Sequence, residues 1–474
     1  MRPDFQSVID AIDSSRAVSS LMMQVTRIEL PPRPEPVEEC LRILRAAGGK
    51  GWIVGGAVRD MLQGRTPTDF DLCSNLPPHR IAALLPDTEL REAALGTCRV
   101  SIAGCDLTIT TLRSEGSYGD ARHPDEVEFV SDIAVDAMRR DFTVNALYYD
   151  PESAELTDPV GGQKDLDNGL LRTIGDPSRR FTEDPLRLLR LVRFAASANL
   201  EIEPATSLAA KHTATSVASL SAERVFGELT NAFTGRGRGR ALGLFVELGL
   251  ADVLLPEVSA MDGVEQPPQY HPEGDVLVHV KLVLDHCPAA SPVLAWSAVL
   301  HDVGKPPTFR RAEDRIRFDG HDNLSAKMAV EILTRLRAPK LLRQQVASIC
   351  RQHIRFAALP QMRPVRAERW MREADFPLHL AFHQADCLGS HGKLEIYEFA
   401  KRTLEALPPI QSPLLQGKDA IAMGVTPGPQ IGRLLRSVQE TIDDLPAAAT
   451  RAQALVLLRD AVDRLVQGLP QDER

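Results

Sequence analysis

The chain has little that would hold it in a membrane or staple it outside a cell. No apolar run in its 474 residues approaches the roughly 20 needed to cross a bilayer. Its first residues carry no basic–apolar–small leader pattern. The seven cysteines are scattered and odd in number, with no CxxC pair, which suits free thiols in a reducing compartment. No internal repeat and no low-complexity tract interrupts the chain. These absences lead to the expectation of a cytoplasmic protein with no membrane partner. What is present agrees: 43% apolar and 25% charged residues make an ordinary globular composition. The length exceeds what one core usually serves, so three or so compact units are expected.

A formal charge of −9 argues against indiscriminate nucleic-acid binding, and DNA is not an expected partner. Residues 305–372 nevertheless hold sixteen Lys and Arg, among them Arg310, Arg311, Arg335, Arg337, Lys340, Arg343, Arg363, Arg366 and Arg369. Any one of these reads best as a solvated helix face. Their regional excess in an acidic chain reads as a phosphate-tracking surface.

Residues 1–30 have weak periodicity, and PPRPEP at 31–36 is a linker-like break, so the fold is expected to begin near Leu30. Residues 37–47 read as a helix. Trp52–Val54 reads as a strand entering the Gly55-Gly56 turn, Val58–Leu62 as a helix and TDFDLCS as a second strand. Ile81–Leu85 lies in a helical stretch, and Val100–Arg113 supplies one or two further strands. Beyond Asp176 the apolar spacing becomes i, i+3, i+4 with almost no strand signal. The expected division is an extension and linker at 1–36, an α/β head at 37–176, a helical neck at 177–260, a helical body at 261–390 and a helical tail at 391–474.

The most informative stretch is GGAVRDMLQGRTPTDFDL, residues 55–72. Alternate side chains of a strand share a face, so Asp69 and Asp71 are expected to point together. Two converging carboxylates beside a flexible Gly turn make a site for divalent metal and polyphosphate. The Gly55-Gly56 turn lets backbone approach a phosphate, and Arg59 sits one helical turn later to pair with it. Arg139-Arg140-Asp141-Phe142-Thr143 sets adjacent guanidinium groups beside a carboxylate, tied to a core by Phe142, Val144 and Leu147. Farther on, Glu183-Asp184-Pro185-Leu186-Arg187 reads as the opening of a helix, with Asp184 and Arg187 three apart on one face.

That pair carries a chemical inference. A carboxylate beside a guanidinium offers an acceptor next to a donor. Cytosine presents N4–H2 beside N3, and adenine N6–H2 beside N1, so both fit. Uracil and guanine carry a carbonyl opposite the carboxylate and an N–H opposite the guanidinium, so both are repelled. A protein pair could thus select C and A with no nucleic-acid template, because an unpaired buried polar group is heavily penalised. The competing reading is an intrahelical salt bridge.

Residues 50–230 carry GGAVRD, TDFDL, RSEGSYGDARHPDEVEF, RRDFTVNALYYD, DPVGGQKDLDNGLLRTIGDP, RFTEDPLRLLRLVRFAA and SAERVFGEL in order. This set resembles the class II tRNA nucleotidyltransferases, the CCA-adding enzymes, which share ancestry with bacterial poly(A) polymerases. The resemblance implies a DNA polymerase β-like α/β head with a small mixed sheet, followed by an all-α neck, body and tail. It implies that Asp69 and Asp71 hold Mg2+ and are catalytic, and that Gly55, Gly56, Arg59, Arg140, Asp141 and Arg190 lie at the nucleotide. Asp184 and Arg187 would be the amino-acid template, and segment 113–128 a loop that lets specificity switch from C to A. The partners it implies are tRNA, CTP and ATP, on a monomer or homodimer. In one place the chain departs from the family, with Thr108 standing where relatives usually carry an acid. Asp106, two residues earlier on the same strand face, is the candidate substitute.

A second set lies in the body. His301-Asp302 follows the apolar WSAVL and precedes Val-Gly-Lys, and His279, His321, His353 and Asp386 complete the order H…HD…H…H…D. Imidazole and carboxylate ligands suit Mn, Ni, Fe or Mg. HPEGDVLVH, LHDVGKP, GHDN, RQHI and QADCLGS resemble the HD phosphohydrolase superfamily. This implies a divalent transition metal or Mg2+ that activates water against a phosphate ester, with Lys305 holding a phosphate oxygen. Residues 417–435 resemble the tail of the bacterial enzymes, whose Gly-rich turn before a basic helix could clamp tRNA backbone.

The expected function is addition of CCA to tRNA 3′ ends from CTP and ATP, with HD phosphohydrolase activity. A CC-adding, A-adding or poly(A)-adding enzyme shares the same motifs. A mainly hydrolytic enzyme with an RNA-binding head is the rival from another class.

Overall fold

Trp52–Val54 and Leu72–Cys73 alternate between two apolar layers, and this alternation organises the head. The computed structural model describes residues 23–85, 88–116, 127–269, 271–313, 315–407, 414–443, 445 and 449–466. The strands are β1 (Gln24–Arg27), β2 (Gly51–Val54), β3 (Asp71–Ser74), β4 (Thr88–Glu92), β5 (Thr97–Ile102), β6 (Cys105–Thr111), β7 (Arg113–Glu115), β8 (Val127–Phe129), β9 (Tyr148–Asp150) and β10 (Glu155–Asp158). Eight form one mixed sheet in the order β1-β10-β9-β2-β3-β6-β5-β4, in which only β3 and β6 pair in parallel. On one face Ile53, Leu72, Val100, Leu107 and Ile109 pack against Val37, Cys40, Leu41 and Leu44 of helix α1 (Glu35–Ala46). On the other, Trp52, Val54, Cys73 and Tyr148 pack against Ala137 of a later helix. Burial on both faces explains why β2 reads as a continuous apolar run rather than an alternation.

Two expectations need correction here. The fold begins before Leu30, because β1 pairs along its length with β10 at the sheet edge. All four of its residues are exposed, so no hydrophobic alternation marked it. The strand expected over TDFDLCS starts only at Asp71, leaving Asp69 in the segment that leads into it. Most of the expected 113–128 loop, residues 117–126, lies outside the described residues. Its two arms are β7 and β8, paired antiparallel.

The helices that matter for the sites are α2 (Gly56–Leu62), α3 (Pro78–Leu84), α4 (Ile133–Arg139), α5 (Pro177–Glu183), α6 (Leu186–Ala198), α7 (Ala222–Thr234), α8 (Arg238–Glu247), α9 (Val276–His286), α10 (Pro292–Leu300), α11 (His321–Arg335), α12 (Lys340–Gln352) and α13 (Phe376–Leu388). The chain divides into two compact units, one of residues 1–353 with 385–392, the other of 354–384 with 393–474. Head, neck and most of the expected body are therefore one unit rather than three. The reason is packing between neck and body. Trp296 on α10 stacks on Phe226 of α7 at 5.7 Å, meets Phe233 edge-on at 5.4 Å, and donates its indole N–H to Thr230 Oγ1 at 2.9 Å. The second unit has its own clusters, one around Phe356, Trp370 and Phe376, another around Leu434, Val438, Leu458 and Val462.

α8 and α9 approach closely at Gly239. A Cβ there would stand 2.3 Å from Asp285 Oδ2 and 2.6 Å from the Lys281 carbonyl oxygen, while one at Gly243 would meet nothing nearer than 3.5 Å. Asp285 Oδ1 also accepts the Gly239 N–H at 2.8 Å. Gly239→Ala should therefore destabilise the first unit by about 2 kcal/mol through overpacking. Gly243→Ala should be close to neutral. Urea midpoints of the two variants check this.

Candidate active sites in the head and body

In the head, chain direction reverses tightly where β2 hands over to α2. Gly55 has φ +69 and ψ −136, a conformation that residues with a Cβ rarely adopt, and a Cβ there would point 3.7 Å from Asp71 Oδ2. The register sets Val54 opposite Asp71 and Asp71 beside Thr108. Asp71, Thr108 and Tyr148 thus share a sheet face. Asp71 keeps an edge open to solvent. Desolvation raises its carboxyl above the usual range; Asp69 adds to the rise, and Arg140 and Arg190 oppose it. Asp69 accepts a hydrogen bond from Thr68 Oγ1. A solvent-accessible carboxylate with a like-charged neighbour, under a backbone turn with no side chain, fits a divalent cation. Asp106, the candidate third acid, stands two residues before Thr108 on the same face and ion-pairs with Arg99.

The basic residues are held by buried partners. Arg140 Nε donates to Asp136 Oδ2 at 3.1 Å and to Tyr148 Oη at 2.9 Å, and its guanidinium lies 4.9 Å from the Tyr148 ring centroid. Asp136 is fully buried and also takes Tyr148 Oη and Arg139 Nε, each at 2.7 Å. Arg59 is buried, with Nη1 on Asn145 Oδ1 at 2.8 Å and Nη2 on Asp60 Oδ1 at 3.0 Å. Asn145 in turn donates to Asp141 Oδ1 at 3.3 Å, and Asp141 Oδ2 receives Arg190 Nη2 at 2.6 Å. Arg59, Arg190 and Arg193 surround the Phe194 ring at 5.4, 5.0 and 4.2 Å. The structure thus joins Arg59, Asp141 and Arg190 through Asn145, a residue that sequence reasoning missed. RDFTVN offered it only as a polar residue within a core-facing segment.

Asp184 and Arg187 do not form the opening turn of one helix. Asp184 caps the end of α5 with φ −143, and Pro185 is the N-cap of α6, because a residue before proline avoids the helical region. Each of the two has a charged partner from elsewhere: Arg224 Nη2 lies 3.1 Å from Asp184 Oδ1, and Arg187 Nη1 lies 3.4 Å from Glu183 Oε2. Arg224 and Glu183 were not anticipated.

In the body, His279 on α9, His301-Asp302 at the end of α10, His321 opening α11, His353 ending α12 and Asp386 on α13 converge. Two groups with ligand atoms within 4.8 Å of one another share Asp302: His279–His301–Asp302 and Asp302–His321–His353. Nδ1 of His301, His321 and His353 faces the carbonyl oxygens of Ala298, Phe318 and Cys350 at 2.9, 2.7 and 2.7 Å. Carbonyls only accept, so the proton sits on Nδ1 and Nε2 keeps its lone pair. Yet His279 Nε2 lies 3.2 Å from His301 Nε2, and His321 Nε2 lies 3.3 Å from His353 Nε2. Between His321 and His353 two lone pairs face each other, which calls for a cation between them. His279 Nε2 lies 3.1 Å from Asp386 Oδ1; burial opposes its imidazolium, but Asp386 and Glu273 raise its pKa to about 9. Both Asp302 oxygens are buried without an aligned hydrogen bond, although Lys305 Nζ stands 2.8 Å away. Burial opposes the charge of Asp302, but His301 and Lys305 hold its carboxyl well below the usual range. These residues fit a divalent metal. Two more were missed: Glu273, whose Oε1 lies 2.9 Å from His279 Nδ1, and Gln266, which accepts from Lys305 Nζ.

The comparisons match the head, neck and body to known families. A family model described as "Poly A polymerase head domain" matches residues 51–172, one described as "Probable RNA and SrmB- binding site of polymerase A" matches 199–261, and "HD domain" matches 276–378. The chain is 33% identical over 417 residues to an A-adding tRNA nucleotidyltransferase of Deinococcus radiodurans, covering 82% of this chain and 90% of that protein. It is 37% identical over 219 residues to a CCA-adding enzyme of a Geobacillus species, covering 46% of this chain and 54% of that protein. A solved CCA-adding enzyme of Bacillus stearothermophilus, in complex with CTP, shares the fold at a TM-score of 0.67 and 22% identity, over 92% of this chain and 100% of that one. A nucleotidyltransferase head with an attached HD domain is the class these define. The chain belongs to the tRNA nucleotidyltransferase family.

Asp141 gives a pH-dependent test of the head–neck junction. Burial raises its carboxyl, but the Arg190 guanidinium and bonds from Asn145 and the Phe142 N–H bring it down to about 2. A depressed carboxyl stabilises above its unfolded value and loses that contribution as pH falls through the folded one. Asp141→Asn should cost about 2 kcal/mol at pH 7, with the gap from wild type narrowing between about pH 4 and 2. Denaturant unfolding across that range checks it.

Proposed function

We propose that the chain completes tRNA 3′ ends in the cytoplasm, adding C, C and A from CTP and ATP without a nucleic-acid template. The observation that carries this is the Gly55 turn closing over Asp71, with Arg140 and Arg190 near that carboxylate. The tRNA 3′-hydroxyl oxygen attacks the α-phosphorus and releases its proton to solvent. A new P–O bond forms while the bond from the α-phosphorus to the oxygen bridging to the β-phosphate breaks, and pyrophosphate leaves. Asp69 and Asp71 hold the Mg2+, which supplies charge neutralisation on the phosphates when bound. Arg140 is pre-positioned by Asp136 and Tyr148, so its guanidinium meets developing negative charge with little reorganisation. With Thr108 in place of an acid, metal holding rests on Asp69 and Asp71. Asp184 and Arg187 read the base, accepting the amino group and donating to the ring nitrogen.

In the body, His279, His301, Asp302, His321, His353 and Asp386 hold divalent metal, which supplies an activated water for phosphate-ester hydrolysis. Glu273 orients His279, and Lys305, fixed by Asp302 and Gln266, faces the ester's charge. The Deinococcus protein matched along most of this chain is named an A-adding tRNA nucleotidyltransferase.

Purified protein with tRNAs lacking one, two or three 3′ residues, given CTP and ATP separately and together, separates these outcomes. CCA addition is expected on the shortest tRNA. Incorporation of A alone onto a tRNA ending in CC would make it an A-adding enzyme. Asp69→Ala and Asp71→Ala should each lower incorporation at least about a hundredfold. Asp302→Ala should leave incorporation intact while abolishing metal-dependent hydrolysis of p-nitrophenyl phosphate and the thermal stabilisation by Mn2+ or Ni2+. Incorporation retained without both head carboxylates would sink the reading.

A further inference from the structure

The carboxylate of Asp184 is not free to present both its oxygens. Oδ1 accepts the Leu186 N–H at 3.2 Å and Arg224 Nη2 at 3.1 Å. Asp184 lies at the break between α5 and α6, where its N–H donates to the Arg180 carbonyl at 3.3 Å and its own carbonyl accepts the Arg187 N–H at 3.0 Å. The backbone is thus held, and the rotation of the carboxylate is set by what its oxygens meet. Arg224 comes from α7, a helix forty residues downstream, whose own N-terminus is capped by Ser221.

The same face of α7 carries Glu228, one helical turn beyond Arg224. Glu228 Oε2 accepts Arg193 Nε at 2.8 Å, and Oε1 lies 3.9 Å from Arg190 Nη1. Arg190 in turn holds Asp141. One face of α7 thus supports the carboxylate of the base-reading pair and the arginine beside the catalytic Asp71. Across the pair, Arg187 is steadied from its own side, with Nη1 on the Arg180 carbonyl oxygen at 2.9 Å and near Glu183.

A partly exposed ion pair such as Arg224–Asp184 adds little to stability. Its effect on recognition differs, because reading N4–H2 beside N3 needs one acceptor oxygen at a set position and angle. We propose that Arg224 is a positioning residue for base selection: it occupies Oδ1 of Asp184, so that Oδ2 alone is offered to the amino group of cytosine or adenine. The proposal rests on the reading of Asp184 and Arg187 as the base-selecting pair. Without Arg224 only the Leu186 N–H holds Oδ1, so the carboxylate turns more readily and its acceptor stays less strictly opposite the carbonyl of uracil.

The test is the ratio of kcat/KM for CTP to that for UTP, on a tRNA lacking its last three residues, for wild type, Arg224→Ala, Arg224→Lys, Asp184→Ala and the double variant Asp184→Ala/Arg224→Ala. The ratio should fall about tenfold in Arg224→Ala and less in Arg224→Lys. The double variant should match Asp184→Ala, since Arg224 acts through Asp184. The thermal midpoint of Arg224→Ala should stay near that of wild type. An unchanged ratio overturns the proposal, as does an equal loss for both nucleotides. If Asp184→Ala relaxes the ratio and Arg224→Ala does not, only the role of Arg224 fails. If Asp184→Ala leaves the ratio intact, the base-selecting pair itself fails. Should Arg224→Ala not fold, Arg224→Lys reads the same ratio, and wild-type selectivity in it together with additivity in the cycle would reject the role.

Discussion

The buried carboxylate of Asp141 is the interaction on which the head depends. It stands where sheet-borne and helix-borne parts of the candidate site meet. One oxygen faces Asn145, which carries Arg59 on its other side, and the second takes the fork of Arg190 from α6. A buried carboxylate costs several kcal/mol unless it is paired and hydrogen-bonded. Here the two guanidinium groups it organises also flank the Phe194 ring, so charge and aromatic packing set the same geometry. Rotation of α6 against the sheet would leave that charge unpaired. Asp184 at the α5–α6 break and Arg187 on α6, the pair proposed to read the base, thereby inherit their position relative to Asp71.

The body works by a related logic with the sign reversed. Backbone carbonyls fix the protons of three imidazoles on Nδ1, and the electron pairs left on Nε2 of two of them, His321 and His353, confront each other. Asp302 sits between both imidazole pairs and supplies the negative charge that a cation requires. Protein folding has here assembled a cluster that is electrostatically complete only with an added positive charge.

Much of this was legible in the sequence because the relevant residues are close together in it. GGAVRD followed by DFD needs only a turn and two short strands to become a site, and the six metal-ligand candidates in the body do converge. The parts that were not legible depend on distant residues. Arg224 reaches Asp184 across forty positions, and Asn145 joins Arg59 across 86. No local pattern announces such pairs. The helix expected to open through Asp184 reflects a conflict between propensity and proline: acidic residues favour a first turn, but Pro185 forces its predecessor out of helical geometry. β1 was missed because an exposed edge strand carries no hydrophobic period. The division into units was misjudged for another reason. A change in composition marks where a sequence alters its texture, whereas Trp296 buried against Phe226 and Phe233 marks where the chain ceases to be separable.

The bare backbone at Gly239 bears on how such a protein could be assembled in evolution. Because α8 touches α9 without an intervening side chain, and Asp285 of one segment closes a hydrogen bond on the other, neck and HD region meet as complementary halves of a single mould. A foreign HD region grafted at this seam would have to bring its own acid at the position of Asp285 and leave the same gap. Neck and HD region are therefore matched at this seam, and removing the helices of the body would leave α8 with an uncovered face at Gly239.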